Sequence, residues 1–253
     1  MEISINKRGQ ITIFIILALI IVILILIIFI SIKQPKVEPY DEKFPQVFIE
    51  SCVKDYLEKT LLSISKHGGD VNTKNSVMYN NTNLSYLCYT KDYYKSCINQ
   101  KPKFIEYIEK EITDDIKPNV FKCFDSLKLI LEKRYDIEMG EMQILTKLKP
   151  REVNLEINRK FKMRRDKEYR EFNNFKIIQQ YPMYEFSEIS MEIANQESKY
   201  CNFDTLGFMI IYPEFDISKI KTGDSDTIYK IIDRKTNRDF NFAIKSCVLP
   251  AGI

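Results

Sequence analysis

From Ile11 to Ile32 the chain carries no charged residue and only two hydroxyl side chains, Thr12 and Ser31. As an α-helix rising about 1.5 Å per residue, the run is about 33 Å long, enough to cross a hydrocarbon core of ~30 Å. Each Ile, Leu, Val or Phe contributes roughly −0.3 to −0.6 kcal/mol to insertion near the bilayer centre, and no charge opposes that sum. The β-branched bias, unhelpful to a helix in water, matters little in lipid, where the backbone can satisfy itself only as a helix. The run reads as a membrane anchor with the lipid bilayer as its partner. It divides the chain into a short cytoplasmic N-terminus (1–10), a transmembrane helix (11–32), a linker containing Pro35, Pro39 and Pro45 (33–45) and a folded remainder (46–253).

That remainder has the means to build a core: the chain is 45% hydrophobic and 12% aromatic, which argues against disorder outside short linkers. A net charge of +3 implies no specific nucleic-acid partner. Seven glycines are too few for a glycine-rich phosphate cradle, and a single histidine, His67, excludes any paired-histidine metal site. No nucleophile elbow, His-Glu-x-x-His, P-loop or dinucleotide fingerprint occurs. No cofactor, metal or small-molecule ligand is therefore expected, and no enzymatic activity, although an Asp/Glu or Ser/Lys enzyme needs none of these motifs.

Topology follows from the cysteines. Cys52, Cys88, Cys97, Cys123, Cys201 and Cys247 are even in number and form no Cys-x-x-Cys pair. In a membrane-tethered chain this pattern reads as disulfides in an oxidising compartment, against the alternative of six buried thiols in a cytosolic domain. Basic residues flanking the span are nearly balanced, with Lys7 and Arg8 before it and Lys33, Lys36 and Lys43 after it. Two N-glycosylation sequons, Asn80-Asn81-Thr82 and Asn83-Leu84-Ser85, add to the case for a C-terminal domain outside the cytoplasm.

Lys7-Arg8-Gly9-Gln10-Ile11-Thr12 resembles the start of archaeal type IV pilin-like precursors with a class III signal peptide. The resemblance implies cleavage between Gly9 and Gln10 with the apolar helix retained. Phe14 stands where the pilin pattern carries Glu. The same opening, with Phe48-Ile49-Glu50-Ser51-Cys52, Gly68-Gly69, Cys123 and a closing aromatic strand, also resembles a group of uncharacterised archaeal single-pass surface proteins.

The expected fold is α+β: a transmembrane helix, then an extracytoplasmic antiparallel sheet with three or so packed amphipathic helices. Helical spacing marks Gln46–Lys66, stopped by Gly68-Gly69, then a helix from Pro102 that Pro118 ends, and Met183–Tyr200. A hairpin is expected at Val77–Tyr79 and Leu84–Tyr89. Tyr135–Leu148, Val153–Met163 and Phe172–Tyr181 follow as paired strands, with Phe208–Tyr212, Thr227–Asp233 and Asp239–Cys247 after them. Cys52–Cys123 is the first pairing expected, with Cys88–Cys97 closing a local loop and Cys201–Cys247 tying the last strand to a helix end.

Residues that carry chemistry are few, and each has a structural alternative. His67 suits a helix C-terminus, where its charge complements the dipole. Tyr86, Tyr89, Tyr93 and Tyr94 form either a recognition surface or the roof of a hairpin. Glu106 with Glu109, and Asp114 with Asp115, are potential acid pairs on what reads as a solvated helix face. Asp216, Asp224 and Asp226 lack the spacing of a calcium loop. Arg159, Lys160, Lys162, Arg164, Arg165, Lys167 and Arg170 lie in the strongest basic run, between the second and third long strands. The run either holds anions such as lipid headgroups, acidic glycans or extracellular DNA, or protects a hairpin edge. The expected function is a non-enzymatic structural or interaction role at the cell envelope, with a protein partner or self-association in the membrane. The alternatives are a minor-pilin-like subunit and a cell-surface enzyme.

Overall fold

A computed structural model describes residues 16–24 and 45–248, and the chain divides into two compact units, residues 1–41 and 42–253. In the first unit, residues 16–24 form a helix (α1) whose side chains are all exposed. The rest of the Ile11–Ile32 run, Gly9, Gln10 and the linker through residue 44 lie outside the described residues. Among the described residues, no helix is long and apolar enough to cross a membrane.

The second unit is α+β. Its helices are α2 (Pro45–Lys66), α3 (Phe104–Leu131), α4 (Met183–Tyr200) and the short α5 (Thr205–Ile211). Three long strands, β4 (Asp136–Lys149), β5 (Glu152–Arg165) and β6 (Glu168–Gln180), form an antiparallel sheet. A second sheet contains β1 (Ser76–Tyr79), β2 (Thr82–Tyr89), β3 (Ile98–Asn99), β7 (Phe215–Lys221), β8 (Asp226–Asp233) and β9 (Arg238–Lys245). Its order is β1-β2-β9-β8-β7, with β3 on β2.

The apolar periodicity of α2 buries Ile49, Val53, Leu57, Leu61 and Ile64 completely. Gly68 and Gly69 end the helix with positive φ values of 69° and 92°, and the Gly69 amide reaches back 3.0 Å to the Ile64 carbonyl. A Cβ at Gly69 would sit 2.7 Å from the Phe104 ring. Only glycine fits this stop.

α3 lies against α2, joined by Cys52–Cys123 (Cα–Cα 6.0 Å) and by the Thr60 hydroxyl donating to Asp115 at 2.6 Å. Its Phe124 meets Phe161 and Phe175 of the long sheet with ring centroids 6.3 and 5.0 Å away. Phe240 anchors a second part of the core, against Phe104, Phe186 and Phe242. On the other face of the second sheet Leu84, Tyr86, Ile228 and Ala243 form a smaller cluster.

Five expectations are corrected. Pro118 does not end α3, which runs on to Leu131. Pro118 and Asp114 are exposed, so the carbonyl that proline leaves unpaired meets water. Meanwhile Ile112, Ile116, Val120, Phe124 and Leu127 keep a continuous buried stripe. Residues 208–212 are not a strand: Asp204 caps α5 by accepting from the Gly207 amide at 3.1 Å. The basic run is not a connection between strands but the end of β5, a tight turn and the start of β6. Sheet pairing is not wholly antiparallel, because β2 and β9 are parallel neighbours. A parallel pair needs a long crossover, here everything from β3 to β8. Lastly, Glu109 does not face solvent: its carboxylate takes the Leu148 amide at 3.0 Å and Lys147 at 2.9 Å, satisfying the outer edge of β4.

Candidate functional site

The segment between β2 and β3 carries Tyr93 and Tyr94, which are 57% and 62% exposed. Its own sequence supplies one brace for this eight-residue loop, the flanking cysteines, and the fold supplies the rest. Cys88–Cys97 closes it at the base with a Cα–Cα distance of 5.4 Å. The chain following β9 runs beside it: the Tyr94 amide bonds the Val248 carbonyl at 3.0 Å, and the Cys247 amide bonds the Lys95 carbonyl at 2.9 Å. Cys247 is in turn joined to Cys201 at the end of α4 (Cα–Cα 5.8 Å). Ser246 completes the clamp, accepting from the Cys97 amide and donating to the Glu197 carbonyl, both at 3.1 Å. Two of the three disulfides thus brace a single tyrosine-bearing loop.

Beside the loop is a cleft of about 790 Å³, rimmed by Tyr89, Tyr93, Lys91 and Lys221 and floored by Glu197 and Asp226. Both floor carboxylates are buried. Glu197 accepts Lys219 Nζ at 2.9 Å and the Tyr229 hydroxyl. Burial, and then that hydrogen bond, push the Tyr229 phenol far above its ordinary range. Asp226 accepts the Tyr86 hydroxyl at 2.7 Å and pairs with Lys245 at 3.3 Å. Burial and the Asp226 bond raise the Tyr86 phenol in the same way. Both phenols therefore stay protonated as donors, and the floor is a fixed polar network. Lys91 and Lys221 have no acidic partner within ion-pair distance among the described residues. Rigid aromatic side chains beside a cationic rim offer contact area that costs little conformational entropy to order.

The four tyrosines of the sequence cluster separate. Tyr86 and Tyr89 pack against each other at 4.9 Å as part of the hairpin's small core, while Tyr93 and Tyr94 are presented outward. The signal for the site was the pair of cysteines flanking an aromatic loop. Its second brace, from the end of the chain, has no local signature.

A second polar cluster was not anticipated. Asp70, just after the Gly68-Gly69 stop, is 6% exposed and accepts Lys101 Nζ at 2.7 Å together with the hydroxyls of Ser85 and Tyr107. Burial holds the Lys101 ammonium below the usual lysine range although Asp70 pulls it upward. The cluster lines a cavity of about 350 Å³ with Glu111 and Asn72. Three donors converge on one carboxylate, making it a junction between α2, β2 and α3.

The basic residues of the β5–β6 hairpin are largely neutralised within their own sheet. Lys160 faces Glu171 at 3.6 Å, Lys162 Glu138 at 3.1 Å, Arg164 Asp136 at 2.8 Å and Arg165 Glu168 at 3.9 Å. Arg159 is buried, 4.8 Å over the Phe124 ring. Like Arg159, Lys167 and Arg170 have no acidic partner among the described residues. His67 follows α2, with Nδ1 3.4 Å from Ser63 Oγ. Glu106 and Asp114 point away from the core, so neither acid pair converges on a cleft. Asp216 faces Arg234 at 4.0 Å, away from Asp226. Both sequon asparagines are exposed, Asn80 in the β1–β2 turn and Asn83 near the start of β2.

Comparison with protein-family models, with curated proteins and with solved structures finds no match to this chain.

Proposed function

We propose that this chain is a single-pass, membrane-tethered domain that works outside the cytoplasm in envelope structure or interaction, engaging a protein partner through the braced Tyr93–Tyr94 loop. The observation that carries this reading is that all six cysteines are paired, Cys52–Cys123, Cys88–Cys97 and Cys201–Cys247. Paired cysteines persist in oxidising compartments, and the uncharged run from Ile11 to Ile32 supplies the tether. A loop stiffened before binding loses less conformational entropy on contact, which favours recognition. Differential alkylation tests the reading. Protein extracted without reductant is expected to take up no alkylating label until it is reduced, and six labels afterwards. Six labels before reduction would place the domain in a reducing compartment.

The Lys7-Arg8-Gly9-Gln10 sequence supports a second reading, a pilin-like subunit processed before Gln10. N-terminal mass spectrometry separates the two: a mature start at Gln10 supports it, and a start retaining Lys7 and Arg8 removes it.

A further inference from the structure

Past Cys201, α5 turns an apolar face to solvent. Leu206, Ile210 and Ile211 are 70%, 80% and 70% exposed, and no residue of α5 is buried. Between α5 and α4 runs a groove of about 610 Å³ with Ile189, Phe208 and Phe215 along its floor. Glu188, Glu192 and Glu214 stand on its rim. Glu188 and Glu192 accept hydrogen bonds from Tyr184 and Gln196 of their own helix. None of the three carboxylates has a cationic partner among the described residues.

We propose that this groove is a docking site for a positively charged amphipathic helix of another protein. An apolar floor with an unneutralised acidic rim matches such a helix in both respects: its apolar stripe covers α5, and its flanking lysines or arginines meet the glutamates.

Two other occupants fit less well. An anionic bilayer surface would be repelled by the same carboxylates. A second copy of this chain would have to offer unpaired cations such as Lys91, Lys221, Lys167 and Arg170, and these lie on strands and turns rather than on an amphipathic helix.

The proposal depends on neither the tether nor the tyrosine loop, and its test leaves both untouched. The full chain in detergent is titrated with a labelled synthetic amphipathic helix of Leu and Lys, and with its Leu and Glu counterpart, by fluorescence anisotropy. Ile210→Ser/Ile211→Ser and Glu188→Gln/Glu192→Gln are compared with the wild type. These side chains are exposed, and unchanged thermal unfolding checks that the variants fold. The Leu/Lys peptide is expected to bind, about tenfold more weakly to the isoleucine variant. The glutamine variant is expected to bind it several-fold more weakly, with a flatter salt dependence. The Leu/Glu peptide is expected not to bind. Equal binding of both peptides, no binding of either, or affinities unchanged in the variants would overturn the proposal. A wild-type dimer in sedimentation that the isoleucine variant dissolves would assign the groove to a second copy. Binding to anionic vesicles that the same variant abolishes would assign it to lipid.

Discussion

Arg151 Nη1 lies 2.6 Å from Asp233 Oδ1, and that contact joins the turns of two different sheets. Arg151 occupies the left-handed region (φ 63°) between β4 and β5. Its amide and Nε both meet Glu185 of α4, at 2.9 and 3.4 Å. Asp233, at the end of β8, is fully buried and also takes the Thr236 amide and hydroxyl. One guanidinium thus ties the long sheet, the mixed sheet and the helix between them.

Removing either partner has unequal consequences. Arg151→Met leaves a buried carboxylate without its counter-charge and is expected to cost about 3 kcal/mol. Asp233→Asn leaves an arginine that is one-third exposed and can turn to water, so about 1 kcal/mol is expected. Denaturant unfolding at neutral pH measures both. Equal costs would mean that Asp233 is less isolated from solvent than its burial indicates.

The same pair sets a pH dependence. Burial alone would raise the Asp233 carboxyl, but the hydrogen bonds from Arg151 and Thr236 outweigh it and hold the group below the usual carboxylate range. A carboxyl whose pKa is lower in the fold stabilises the fold above its unfolded value of about 4. That contribution is lost as pH falls through the lower folded value. Wild-type stability is expected to decline between about pH 5 and pH 2 more steeply than that of Asp233→Asn. Parallel pH profiles would remove Asp233 from the acid response.

The disulfides separate by loop length. Cys52–Cys123 spans 71 residues and Cys88–Cys97 spans nine. By chain entropy the first contributes about 4 kcal/mol and the second about 2.5 kcal/mol. Replacing Cys52 and Cys123 with serine is expected to lower global stability the more. Replacing Cys88 and Cys97 is expected chiefly to speed amide exchange across residues 90–97, whereas unchanged exchange there would mean that the end of β9 holds the loop alone.

Pro118 interrupts the hydrogen-bond ladder of α3 on its exposed face. Pro118→Ala restores the bond to Asp114 and is expected to stabilise the fold by about 2 kcal/mol, the ~3 kcal/mol helix penalty less the entropy proline removes from the unfolded chain. Thermal unfolding should rise by about 5 °C. A fall would show that the fold needs proline at this position.

Much of the architecture was legible. The apolar spacing of α2 and α4 and the alternation along most of β5 stand out because one face of each is more deeply buried than the other. The residues of α5 were misread because Phe208 to Tyr212 is apolar throughout and shows no period. Its only helical signal was Asp204 three residues ahead of Gly207. Glu109 looked like one more charge on a wet helix face, since the strand edge it satisfies is 39 residues away. The parallel β2–β9 pair and the Arg151–Asp233 bond depend on contacts between distant segments, which no local pattern encodes. At the tyrosine loop the flanking cysteines were visible, but the clamp from Ser246 to Val248 was not.

The central claim is that the folded unit stands outside a membrane to which the Ile11–Ile32 run holds it. Protease added to intact cells tests this directly, with the residual fragment read by mass spectrometry. A tethered outer domain is expected to be degraded, leaving a fragment that contains residues 11–32 in the membrane fraction. A full-length chain that survives in intact cells and is cut only after lysis would contradict it.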